Sequence, residues 1–208
     1  MSGSGAEGRE QGAPVWPPVI DLSRAPGARA SWGRPVWTVL AWAVVERLLV
    51  TNAFQVSTRL RAAALRAFGA TIGEGVILRP GLRVRFPWKL TVGDRSWIGE
   101  DVWLHNQDEL VVGADVVISQ GTFVTTGSHA HRRDMALITA PVHLEDGVWV
   151  TARCVVTGGV RIGRSALVAP NTVVSRDVAP NTIVGSPPAQ VLGQRFPSPE
   201  SNDSTQER

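Results

Sequence analysis

The chain has 208 residues, 43% of them apolar, and a formal net charge of +3. That length suffices for one domain with a real core plus extensions, and the apolar share is that of an ordinary globular protein. The basic residues are scattered rather than striped and no nucleic-acid module is recognisable, so a nucleic-acid partner is not expected; the single cysteine, Cys154, excludes an internal disulfide.

The opening stretch MSGSGAEGREQGAP is polar and lacks the layout of a signal peptide. Residues 1–34, rich in Gly, Pro, Ser and charge, read as a disordered tail. Residues 35–70 read as helical. The run PVWTVLAWAVVERLLV, residues 35–50, carries Glu46 and Arg47 and falls short of the roughly 20 apolar residues that a spanning helix needs. It reads first as a helix packed on the domain. The segment 35–55 has a second reading, as an interfacial helix touching a membrane surface. Next comes STRLRAAALRAFG, with Ser57 as a helix cap, Leu60, Ala64 and Leu65 at helical spacing, and Gly69 as a stop.

From residue 71 to 193 an aliphatic residue returns every six positions. The cleanest run is LEDGVW, VTARCV, VTGGVR, IGRSAL, VAPNTV, VSRDVA, with Leu144, Val150, Val156, Ile162, Val168 and Val174 in first place. Fifth place holds Val148, Cys154, Val160, Ala166, Thr172 and Val178, all of modest size. Upstream the same frame gives IGEGVI, LRPGLR, VGDRSW, IGEDVW, VGADVV, ISQGTF and VTTGSH. Two longer steps interrupt it, Val84 to Val92 and Leu104 to Val112, and a larger gap separates Val124 from Leu144.

A period of six is neither the helical 3.6 nor a simple alternation. It predicts a solenoid of short strands joined by tight turns, three hexads to a triangular coil. The first residue of each hexad fills the prism, and the fifth also points in, near a corner, where only a small side chain fits. Cys154 is therefore a core residue and no nucleophile. Trp97, Trp103 and Trp149 fall in sixth place and should point outward, toward a subunit contact or a stacked sugar or nucleotide. The helices ahead of the repeats would cover the open end of the first coil, whose unpaired backbone invites aggregation. Residues 194–208 read as a disordered polar tail.

The rhythm breaks once in earnest, in TTGSHAHRRDMALITAPVHLEDG, residues 125 to 147, which holds three of the four histidines. Residues 130–143 read as a loop thrown out from a prism corner, with His129 at its base. His131 lies within it; His143 precedes the next hexad and reads as a surface residue. Arg132, Arg133 and Asp134 read as solvated loop, or as partners for an anionic group.

These hexads resemble those of the hexapeptide-repeat acyltransferases, which form left-handed parallel β-helices. The resemblance covers about residues 70 to 193. Its most specific segments are VISQGTFVTTGSH, LITAPVHLEDGVWVTARCVVTGGVRIG, VVSRDVAPNTIVGSPPAQVL and the FGATIGEGV lead-in. Together they look like the colanic acid biosynthesis acetyltransferases and, more distantly, the galactoside and maltose acetyltransferases. The fold class implied is mainly β, a left-handed parallel β-helix with a helical segment ahead of it. The activity implied is transfer of an acetyl group from acetyl-CoA, as co-substrate, to a sugar hydroxyl in exopolysaccharide or cell-surface glycan biosynthesis. The resemblance also implies a cytoplasmic homotrimer with active sites in clefts between prisms, a saccharide or glycan-precursor acceptor, and no metal. If segment 35–55 touches lipid, the place is the inner face of the membrane.

Residue by residue, the resemblance puts the catalytic base on His129 of TTGSH. It puts acceptor contacts on Asn106 and His105 of LHNQ; His131, two residues past His129, is the alternative base or a further acceptor contact. Coenzyme contacts fall on Ala152, Pro170, Ser175 and Arg176, and on the GSPPA segment, residues 185–189, including Pro188. Three departures are visible: Ala130 stands where relatives often have Asp, APN replaces GAG at residues 169–171, and WVTA replaces WIGA. Acyl transfer to a hydroxyl needs a base to take its proton, and imidazole titrates near neutrality; no covalent enzyme intermediate is required. Two rivals share the fold. A trimeric carbonic anhydrase-like metal enzyme would gather three histidines, but the spacing of His105, His129 and His131 does not match. A non-catalytic scaffold would have little use for an SHAH insertion.

Overall fold

A computed structural model describes residues 19–186 and 189–194. Two 3-10 turns, Leu22–Arg24 and Ala28–Trp32, lead into helix α1, Val36–Val45, which runs on into a π turn, Glu46–Val50. Both 3-10 turns fall in the segment whose composition reads as a tail; residues 1–18, 187–188 and 195–208 lie outside the described residues. Helix α2, Thr58–Ala67, starts where Ser57 Oγ accepts the Leu60 N–H at 3.3 Å. It stops at Gly69, whose φ of +95° no side-chain-bearing residue adopts cheaply.

After Gly69 the chain winds into a parallel β-solenoid with three faces. The first carries strands Thr71–Ile72, Leu90–Val92, Leu110–Val112, Val142–Leu144 and Arg161–Ile162. The second carries Ile77–Leu78, Trp97–Ile98, Val117–Ile118, Trp149–Val150, Leu167–Val168 and Thr182–Gly185. The third carries Arg83–Val84, Trp103–His105, Phe123–Thr125, Val155–Val156 and Val173–Val174. The chain then folds back, Thr182–Gly185 pairing antiparallel with Gln190–Gln194.

The six-residue period maps onto this prism as expected. Leu144, Val150, Val156, Ile162, Val168 and Val174 are all buried, and so are Val148, Cys154, Val160, Ala166 and Thr172 at the corners. Each aliphatic side chain so placed is worth about 1.5–3 kcal/mol over exposure. Gly75, Gly81, Gly121 and Gly147 take the left-handed corner conformation, but so do Arg95, Asp101, Asp115 and Arg153. The turn therefore tolerates residues other than the glycine and asparagine that its geometry favours.

The helices close the first coil by bonding to all three of its edge strands. On the third face, Glu46 Oε1 accepts the Val84 N–H at 2.6 Å and Trp42 Nε1 donates to the Val84 carbonyl at 2.8 Å. On the second, Thr58 Oγ1 and Arg61 Nη1 donate to the Leu78 carbonyl. On the first, Arg66 donates to the carbonyls of Ile72 and Gly73. Each strand edge at this end thus meets a side chain from the helical segment, which blunts it against pairing with another chain.

Glu46 sets up a test. Burial pushes its carboxyl above the ordinary value, opposed by the Val84 N–H and by the cations of Arg85 and Arg83. A raised folded value means the folded chain holds this proton more tightly than the unfolded chain. Its contribution is full below the ordinary carboxylate range and is lost as pH rises through the raised value. Glu46→Ala, which orphans the Val84 N–H, is expected to cost about 1–3 kcal/mol in thermal unfolding. Glu46→Gln keeps an acceptor for that N–H and should cost less, with the loss of stability on raising pH through the acidic range reduced.

Candidate active site

All three interruptions of the six-residue rhythm fall at one corner, where the third face passes to the first. Val84 to Val92 is spanned by a 3-10 turn, Pro87–Lys89; Leu104 to Val112 by residues 105–109; Val124 to Leu144 by an antiparallel hairpin. The extra length is stacked coil on coil, so one edge of the prism is built up while the other two stay regular.

The hairpin pairs Gly127–His129 with Leu137–Thr139, in register Gly127 with Thr139, Ser128 with Ile138 and His129 with Leu137. The chain leaves the solenoid three residues earlier than the hexad frame suggests and is back in it at Val142. The reason is local: the Ala140 N–H bonds to the Thr126 carbonyl at 2.9 Å and closes the hairpin at its root. Its tip is closed by Ala130 N–H to the Ala136 carbonyl at 2.9 Å and by Asp134 Oδ1, which accepts the Ala136 N–H at 3.0 Å. Met135 sits at the tip with φ +58°.

That turn aims the Met135 carbonyl at His129, with Nδ1 2.8 Å from the oxygen. A carbonyl only accepts, so Nδ1 carries the hydrogen and the neutral ring presents Nε2 as a free base. His129 is exposed, Ala130 is buried beside it, and His131, Arg132 and Arg133 are exposed at the tip. His131 makes no side-chain hydrogen bond among the described residues, so nothing fixes its ring.

His105 lies on the outside of the third face, half-buried, with Nδ1 3.3 Å from Thr125 Oγ1. Burial, and after it the charge of Arg85, pushes its pKa down, so the ring is neutral near pH 7 and suits hydrogen bonding. Around it stand Trp103 (ring centroids 5.3 Å apart), Phe123 (4.9 Å from Trp103) and Arg83, whose guanidinium lies 4.4 Å over Trp103. The hexad frame places Trp103 outward; Phe123 holds the same sixth place in ISQGTF and is legible by the same rule. The arginine is not, since a charged outward residue is the default.

Asn106 is placed otherwise than the resemblance implies. It is fully buried; its Oδ1 accepts the Phe86 N–H at 3.1 Å and its Nδ2 donates to the Phe86 carbonyl at 2.7 Å. At the enlarged corner the strands no longer bond directly, and the amide stands in for the missing ladder rung.

The residues matched to coenzyme contacts divide between two grooves. Ala152 and Pro170 line one with Gln120, Arg153 and Asn171, at the corner before the third face. Ser175 and Arg176 line another with Val184, Ala189 and Val191, at the corner after it. Strand Val173–Val174 joins the two, so all four residues border the C-terminal end of the third face. Pro188 lies outside the described residues. Along that face the order is Val173–Val174, Val155–Val156, Phe123–Thr125, Trp103–His105, Arg83–Val84. The hairpin bearing His129 leaves from the middle strand. Among the described residues no three His, Cys, Asp or Glu side chains are grouped to hold a metal.

No family model matches the chain. It is 37% identical over 164 residues to WcaF of Escherichia coli strain K12, which bears the name of a colanic acid biosynthesis acetyltransferase, covering 78% of this chain and 90% of that protein. It is 21% identical over 136 residues to a galactoside O-acetyltransferase of the same organism, covering 64% of this chain and 67% of that one. Among solved structures, a hexapeptide-repeat acetyltransferase of Vibrio cholerae complexed with acetyl-CoA superposes with a TM-score of 0.69 at 25% identity, covering 81% of this chain and 89% of that one. A maltose O-acetyltransferase of Clostridium difficile superposes with a TM-score of 0.70 at 21% identity, covering 78% and 88%, which shows the shared fold. With its three-faced solenoid, its capped first coil and this degree of identity along most of its length, the chain belongs to the hexapeptide-repeat acetyltransferases.

Proposed function

We propose that the chain transfers an acetyl group from acetyl-CoA to a saccharide hydroxyl in the making of an exopolysaccharide or cell-surface glycan, with His129 as general base. The carrying observation is the bond from His129 Nδ1 to the Met135 carbonyl, on a hairpin rooted at the middle strand of the third face. It leaves Nε2 without a bond among the described residues, and in strand order the root of the hairpin lies between Val173–Val174, which borders the grooves, and Trp103–His105. Acetyl-CoA lies along the grooves at Ala152, Pro170, Ser175 and Arg176, and the sugar lies near His105, Trp103 and His131.

In the reaction Nε2 accepts the hydroxyl proton as the oxygen attacks the thioester carbonyl. The tetrahedral intermediate collapses, the carbon–sulfur bond breaks, and the thiolate leaves with the proton returned from Nε2. The acetyl group ends on the sugar oxygen and no enzyme group is consumed. A base so placed gives roughly 10²–10⁴ in rate, and a rigid scaffold supplies the positioning. The working unit is a homotrimer, whose neighbouring prism walls the cleft; exposed Trp97 and Trp149 suit that contact.

Release of CoA from acetyl-CoA, followed across free sugars, nucleotide sugars and lipid-linked oligosaccharides, tests the acceptor class. A saccharide is expected to raise the rate well above slow hydrolysis. Release driven by amines and by no hydroxyl acceptor would overturn the assignment.

A further inference from the structure

We propose that the outer face of α1 and its π turn docks on an anionic phospholipid surface. A helix that is apolar all round is normally buried all round, and α1 is not. Trp42 and Val50 turn to the solenoid and are buried. Trp37, Leu40, Val44 and Leu48, at spacings of three, four and four, form one outward line, 57–71% exposed. Phe54 and Val56 continue it in the link to α2, 96% and 80% exposed. A lone exposed apolar residue needs no explanation; a contiguous line of this kind marks a contact. Residues 36–50 make a rod of about 22 Å, and no helix among the described residues is long and apolar enough to cross a membrane. The geometry is that of a helix lying in the interface.

Charge points to lipid rather than to another copy of the chain. Residues 19–70 hold seven arginines against two acidic residues, Asp21 and Glu46, whereas the rest of the chain carries a slight acidic excess. Glu46 is turned inward to Val84 and Asp21 pairs with Arg24. Arg34, Arg47 and Arg59 are exposed and have no acidic partner among the described residues. At the start of α1, Arg34 and Arg66 line a groove with Trp37 and Phe68, where a headgroup phosphate meets two guanidiniums beside an amphipathic indole. Apolar residues with unpaired arginines along their flank complement acyl chains under anionic headgroups. In a two-fold pair a second copy would bring the same arginines against these.

Sedimentation with vesicles, using the full chain, decides the matter without any acetyl transfer, so a failure of the proposed reaction leaves it untouched. The chain is expected to bind vesicles of phosphatidylglycerol mixed with phosphatidylcholine, to bind phosphatidylcholine alone far less, and to be released by added salt. Trp37→Ser with Leu40→Ser should lower binding at least about tenfold with the melting temperature and native mass of the parent. Arg34→Ala with Arg47→Ala should lower binding to the anionic vesicles only. Absent or charge-independent binding by the parent overturns the proposal. So does parent-like binding by the serine variant, or a fall in its native mass, which would assign the face to a subunit contact.

Discussion

His129→Ala is expected to lower kcat by at least about a hundredfold while leaving acetyl-CoA binding and native mass unchanged. The ring sits at the exposed end of the hairpin, and its packing contributes nothing to the prism, so the loss should appear in chemistry and not in folding. The Nδ1 bond to Met135 makes a sharper demand. If that carbonyl sets the tautomer, His129→Gln and His129→Asn should both fail, since neither offers a base. His131→Ala should stay within a few-fold of the parent, because no bond orients its ring. Steady-state kinetics of the purified variants at saturating acetyl-CoA reads all four. The reverse pattern, with His131→Ala inactive and His129→Ala active, would move the base to the hairpin tip.

The second large effect concerns stability. Arg61 is fully buried in α2. Its guanidinium donates to the carbonyls of Val50 at 3.0 Å, Asn52 at 3.2 Å and Leu78 at 3.4 Å, and to that of Gln55. One side chain thus ties the end of the π turn, the interhelical link and the second-face edge strand. Arg61→Met keeps much of the volume but takes its bonds from the buried Val50 carbonyl and the part-buried Asn52 and Gln55 carbonyls, the Leu78 carbonyl keeping that from Thr58, at about 1–3 kcal/mol for each group left unsatisfied. A loss of at least about 3 kcal/mol, or roughly 6–12 °C in melting temperature for a chain of this size, is expected by calorimetry. Arg61→Lys should recover little, since an ammonium cannot reach acceptors spread across a planar fork. A variant that melted with the parent would show that the helices are not anchored through this residue.

The prism was legible because its constraint is periodic. Only small or aliphatic side chains fit inside a narrow coil, and they must return at fixed intervals, so Leu144 to Val178 announce their own places. Ser57 and Gly69 were legible for a different reason, since capping and left-handed backbone are local chemistry. The hairpin was less so. Gly127, Ser128 and His129 satisfy a hexad as well as they satisfy an antiparallel strand, so on paper the frame persists three residues after the chain has left it. The corner where the three interruptions stack emerges only when hexads are counted in threes. Asn106 misled because an amide in a family site position looks the same on paper whether it faces a sugar or replaces a rung under Phe86. The Met135 carbonyl left no trace at all, since a backbone oxygen has no letter.

The parallel pairing of the third face has a consequence for how this enzyme keeps its dimensions. Each coil rises by one strand spacing, about 4.8 Å, and Phe123–Thr125 is separated from Val173–Val174 by the single strand Val155–Val156. The span from the root of the hairpin to the far groove is therefore two rungs, near 10 Å. Backbone hydrogen bonds fix it, and no side-chain substitution alters it. It is quantised: evolution can lengthen or shorten it only by a whole coil. The molecule carries its own ruler, marked off in rungs.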